Sequence, residues 1–139
     1  MSFHYYVDTH INCVFIRHIN AFVIGDGSAS IEVVLADADH WLGMNILRDL
    51  TQVSFSKEIA ERSFSAQVCH SARAYEQQLG HCMIAWVLGS AAGFAVGHWW
   101  SASARPTRTF SRRPFRAVGP ARAWLGIPED DVIKYPDDD

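Results

Sequence analysis

From Gln77 to Pro128 the chain contains neither Asp nor Glu, and from Leu79 to Ala104 it carries no charged side chain of either sign. Its three cysteines, Cys13, Cys69 and Cys82, are odd in number and widely spaced, which excludes a disulfide framework. The opening "MSFHYYVDTH" has no basic n-region and no apolar run, so a secretory pattern is absent as well. Together these point to a cytoplasmic protein with buried or idle thiols. "CH" at 69–70 and "HC" at 81–82 have no chelating spacing, since structural zinc motifs place two to four residues between ligands. "GDGSAS" lacks the Lys and the further glycine of a phosphate loop, and no G-x-S-x-G presents a nucleophile. The sequence therefore predicts no catalytic residues, no metal and no cofactor.

What is present is a globular composition. The 139 residues are 49% hydrophobic and 19% charged, enough for one domain with one core. The net charge of −3 conceals a segregation. Residues 1–76 hold an excess of acids, whereas 77–128 hold Arg105, Arg108, Arg112, Arg113, Arg116 and Arg122 with no acid between them. "EDDVIKYPDDD" then follows, expected as an acidic tail over 129–139 behind a domain of 1–128.

"FHYYV" and "INCVFIRH" are β-branched and aromatic and read as strands, with "AFVIG" extending the second or forming a third. "DGSAS" supplies N-cap types at Asp26, Ser28 and Ser30. The spacing of Ile31, Val34, Leu35, Ala38, Trp41 and Leu42 then predicts a helix capped by Gly43. "MNILRDL" reads as a buried strand, and Ala60, Phe64, Val68, Ala72, Tyr75 and Leu79 form the stripe of a long amphipathic helix ended by Gly80. "PARAWLG" closes the chain's pattern as a short helix, with Pro120 in its first turn and Gly126 and Pro128 past its end.

The uncharged stretch has two readings. It is long enough to span a bilayer through 82–100, with Gly89, Gly93 and Gly97 in a doubled GxxxG. Five strong inserters at about −0.5 kcal/mol each are, however, largely offset by His98, serines and glycines. The other reading splits it into a buried strand "CMIAWVL" and a helix from Gly89–Ser90, its glycines allowing close packing on a sheet. Strand–helix alternation on both sides favours the split, giving an α/β domain with a mixed, mainly parallel sheet.

This order, with "NILRDLT", "MIAWVLGSAAGFAVGHWW" and "FRAVGPARAWLGIP", resembles the SpoIIAA-like group of the STAS superfamily, a bacterial group with many members of unassigned function. The resemblance covers roughly residues 4–128 and implies a STAS-like fold. It also implies a phosphoacceptor at Ser56, in the Ser54–Lys57 run that replaces the superfamily's Asp-Ser-Ser-Gly, with Thr51 a second candidate. A serine at a helix start is equally an N-cap.

Two binding surfaces are expected from the residues themselves. Arg108, Arg112, Arg113 and Arg116 interleave with Phe110 and Phe115 as an anion-binding surface. Phe94, Trp99 and Trp100 suggest an interface or an apolar pocket. The two tryptophans point about 100° apart on a helix, so one is free to face a partner chain. The expected function is a non-catalytic regulatory or protein-interaction module, homodimeric, with a protein partner. The alternatives are a carrier or sensor of a hydrophobic or anionic small molecule and a single-pass membrane protein. Nucleic acid is not an expected partner, given a pI near 6.1.

Overall fold

The structure is a computed structural model and describes residues 3–22, 25–55, 77–103 and 110–136, with backbone alone for 99–103 and 110. The chain forms a five-stranded mixed sheet whose spatial order β1-β2-β3-β4-β5 follows the sequence. β1 (Phe3–Asp8) runs antiparallel to β2 (Cys13–Ala21); β3 (Asn45–Ser54), β4 (Cys82–Val87) and β5 (Phe110–Phe115) continue parallel to β2. Crossovers of one hand stepping in one direction place their helices on one face. Accordingly α1 (Asp26–Ala36) and α2 (Ala91–Ser103) both pack on the side of Val14, Ile16, Ile46, Ile84 and Leu88. The second face carries Cys13, Phe15, Leu47, Ala85 and Val87, covered by α3 (Val118–Leu125), Ile127 and Tyr135. The result is an α/β domain of three layers.

Burial on both faces explains why β2, β3 and β4 read as near-continuous apolar runs rather than alternating ones. β4 is hydrogen-bonded between β3 and β5, which overturns the reading of 82–100 as one membrane-spanning helix. Among the described residues no helix is long and apolar enough to cross a membrane. The doubled GxxxG serves packing instead. A Cβ on Gly97 would collide with Leu88 Cδ1, and one on Gly93 would stand 3.2 Å from Phe55 Cε2. Glycine lets α2 lie flush on the sheet.

Two expectations need correction. α1 does not reach Leu42 but ends at Ala36 with Asp37 extended. Asp37 turns the chain outward, because its carboxylate accepts from Asp39 N at 2.8 Å and from the Tyr5 hydroxyl at 2.7 Å. The N-cap of α1 is Gly25 in the left-handed region, not a side-chain cap. "FSRRPF" forms edge strand β5, where Pro114 is tolerated because an edge needs fewer ladder donors. The expected helix over 56–79 falls almost entirely outside the described residues.

α3 closes as the sequence implies. Gly126 takes φ 74°, and the amides of Gly126 and Ile127 return to Ala123 O and Arg122 O, a Schellman closure. Leu125 is buried and Trp124 half-buried, 5.7 Å from Phe115. The segment after it crosses the same face. Arg122 Nη2 donates to the carbonyls of Pro128 (2.6 Å), Glu129 and Asp131, and Tyr135 is buried edge-on against Tyr6.

Candidate functional site at the carboxyl rim of the sheet

In parallel sheets the carboxyl ends of the strands are where ligands ordinarily sit. All four buried polar side chains among the described residues, His18, Ser30, Arg48 and Asp49, lie in that half of the molecule. Strand alternation sorts them. Arg48 lies beside Ile16 and Trp86 on the helix face, whereas Asp49 pairs with Arg17 on the α3 face.

On the helix face Arg48 fastens α1 to β3. Its Nη1 donates to Ser30 Oγ at 3.0 Å and to His18 Nε2 at 3.0 Å, and both Nη atoms approach Gly27 O at 3.4–3.5 Å. Its guanidinium also stacks 4.9 Å from the Trp86 ring centroid, a cation–π contact. As acceptor toward Arg48, His18 Nε2 is unprotonated, which assigns the ring proton to Nδ1. Phe3 and Phe22 flank that imidazole at 5.9 and 5.7 Å. Burial first, and then the Arg48 charge, pull the His18 pKa down to about 3, so it is neutral throughout the physiological range.

On the other face Asp49 Oδ1 accepts from Thr51 N at 2.9 Å and Thr51 Oγ1 at 2.6 Å, while Oδ2 lies 3.6 Å from Arg17 Nε. The Arg17 guanidinium sits 4.1 Å over the Tyr135 ring, and burial raises the Tyr135 hydroxyl well above its usual pKa. The same cause raises Tyr6 to about 12 and Cys13 to about 12, so neither is a nucleophile near neutral pH. A bulge joins the two clusters. Arg17 pairs with Asp49 but Ile19 with Gln52, so β3 holds one extra residue opposite His18, a distortion typical of functional rims.

The residues picked out from sequence are distributed differently. Ser56 and Arg108 lie outside the described residues, as do the side chains of Trp99 and Trp100. Thr51 and Ser54 are exposed at the end of β3. Arg112 and Arg113 are neighbours on a strand and so face opposite ways. Arg112 is half-buried and registered with Ile84, while exposed Arg113 leans over Phe115 at 5.3 Å. Arg116 donates to Gly89 O at 3.3 Å and lies 6.0 Å above the ring of half-buried Phe94. Arg112 and Arg113 therefore do not share one face of β5.

His18, Arg48, Asp49 and Tyr135 were not singled out from the sequence, and Ser30 only as an N-cap type, although "FIRH" and "LRDL" carried a signal. Each places a charged or polar pair inside an apolar run, on a strand buried from both sides. Cys13 and Cys82 are buried thiols, and no group of His, Cys, Asp or Glu among the described residues could hold a metal ion. No family model, curated protein or solved structure matches the chain.

Proposed function

We propose that this chain is a non-catalytic interaction module, regulatory in role, of the SpoIIAA-like kind that its motifs resemble. The observation that supports this best is how the buried polar groups are spent. Arg48 holds α1, Ser30 and His18; Asp49 holds Thr51 and Arg17. General acid–base or nucleophilic work needs a group poised near neutral pH within reach of a substrate. Here His18 titrates at about 3 and Cys13 at about 12, both beneath packed elements. Such a centre fixes the shape of a surface and leaves recognition to what lies outside it.

The carrier reading draws less support. It requires space between α2 and the sheet, yet Phe55, Leu88 and Pro114 already stand at contact distance from Gly93 and Gly97. A cytoplasmic homodimer using α2 belongs to the interaction reading.

Native mass spectrometry of the purified protein, then a denaturing mass on the same sample, tests the proposal. The expected result is the chain or its dimer with no mass excess. An excess lost on unfolding would identify a bound ligand and sink the interaction reading in favour of the carrier. A covalently retained phosphate, mapped by peptide, would assign the regulation to Ser56 or Thr51.

A further inference from the structure

The amino rim, opposite the polar centre, is built from the turn 9–12, the loop 37–44 and the turn 79–81, which precede β2, β3 and β4. These segments are tied to one another. Trp41 Nε1 donates to Asn12 Oδ1 at 2.8 Å, Asn45 N to Asn12 O at 3.0 Å and Gly43 N to Leu79 O at 2.8 Å. Gly43 (φ +95°) and Gly80 (φ +79°) permit the approach, since a Cβ on Gly80 would meet Gly43 N at 3.2 Å. Only glycine takes such a backbone without strain. Asp37, bonded to Asp39 N and the Tyr5 hydroxyl, fixes the start of the loop.

On this fixed platform two large apolar side chains stand in solvent, Trp41 at 46% and Leu42 at 70% exposure. The indole N–H is already engaged by Asn12, so what Trp41 offers outward is its apolar, electron-rich ring. Such a face attracts cations. The charge around it favours the same sign: Asp8, Asp37 and Asp39 belong to this rim, and its loops contain no Lys or Arg, their only basic side chains being His10, His40 and His81. A Lys or Arg side chain satisfies both demands, its aliphatic stem on Leu42 and its charge at the ring and carboxylates. An anionic lipid surface would be repelled.

We infer that the Trp41–Leu42 tip is a docking surface for a Lys/Arg-rich, partly apolar peptide segment of another protein. This rests on the interaction-module reading and specifies its partner. The preformed loop reduces the ordering that binding would otherwise require.

The test uses the full chain and a synthetic peptide of Lys, Leu and Gly about ten residues long, with a Glu-for-Lys peptide as control. Amide chemical-shift mapping locates the contact, and fluorescence anisotropy of labelled peptide gives affinity. The expected result is shifts confined to 9–12, 37–44 and 79–81, with no response to the Glu peptide. Leu42→Ser or Asp39→Asn should weaken binding roughly fivefold, whereas Trp41→Phe, which keeps a ring, retains most of it. Both weakening substitutions are at exposed positions and leave the fold intact, which their unperturbed remaining spectra verify. Four outcomes overturn the inference. Lys-peptide shifts at another surface refute this site while leaving the interaction reading standing. No binding at about millimolar peptide, with a ligand excess in the native mass, refutes both. Equal binding of the Glu peptide refutes the cation argument. Self-association abolished by Leu42→Ser would make a second copy the occupant instead.

Discussion

Acidification should weaken this fold through His18, by an amount that can be worked out. The imidazole is neutral and buried, with a folded pKa of about 3 against an ordinary 6.5. Between those values the unfolded chain binds the proton and the folded chain does not, so stability falls as pH drops through the unfolded value. From near pH 7.5 to near pH 5 this one group removes about 2 kcal/mol, approaching ~5 kcal/mol only below both pKa values. Urea unfolding at the two pH values measures the loss. His18→Gln keeps an acceptor for Arg48 but cannot titrate, so it should lose about 2 kcal/mol less than the parent over the same interval. Other titrating groups are common to both proteins and cancel in that difference. Arg48→Met removes the second cause of the depressed pKa while leaving burial, the larger one, in place; its acid loss should shrink only in part. Equal acid losses in the parent and His18→Gln would refute the assignment of a buried neutral imidazole.

The packing of α2 makes a paired prediction. An added methyl at Gly97 collides with buried Leu88. Gly97→Ala should therefore destabilise by about 1–2 kcal/mol, as overpacking outweighs the gain in helix propensity. Leu88→Val should restore part of the loss in the double variant. Gly119, on α3, has nothing within 4 Å of an added Cβ. There Gly119→Ala should instead stabilise by about 0.5–1 kcal/mol, and thermal melts of the three variants read both signs. Tyr135→Ala empties the site between Tyr6 and Arg17, which should cost about 3 kcal/mol. Val132 is 81% exposed. Its replacement by Ala should stay within about 0.5 kcal/mol. Denaturant midpoints that do not separate these two would show that residues 129–136 contribute nothing to the fold. Trp41→Phe should likewise leave the melting temperature nearly unchanged, since it gives up one exposed hydrogen bond and keeps the ring.

Where local pattern and tertiary context agree, the sequence reading matches the structure. β4, α2 and α3 are legible because an apolar run, a glycine spacing and a Pro/Gly bracket each act over a few residues. α1 shows where the agreement ends. Its apolar period continues past Ala36 to Ala38, Trp41 and Leu42, so the period alone does not mark its end. The end is set at Asp37, whose carboxylate accepts both from Asp39 N, two residues on, and from the hydroxyl of Tyr5, 32 residues earlier. A hydrophobic period records what a segment could bury, not whether the rest of the chain provides a surface there. Trp41 and Leu42 are the consequence, a helical face without a helix, left in solvent.

The polar centre was hidden for a related reason. "FIRH" and "LRDL" are each ambiguous alone, since a charged pair in an apolar run also suits an exposed strand end. They acquire meaning through register. With Arg17 opposite Asp49, and Arg48 reaching His18 across the same ladder, each strand supplies what the other needs. A parallel pairing separated by a crossover is set by the fold and not by either segment. The described part of the arginine run is sorted by the same logic. Once β5 is a strand, alternation sends Arg112 and Arg113 to opposite faces, whatever their charge density in sequence. Clustered charge in a sequence becomes a surface only when the local period allows it. At the amino rim the loops converge because three strands begin there side by side, and the fold itself ties the exposed Trp41 indole to Asn12, 29 residues earlier.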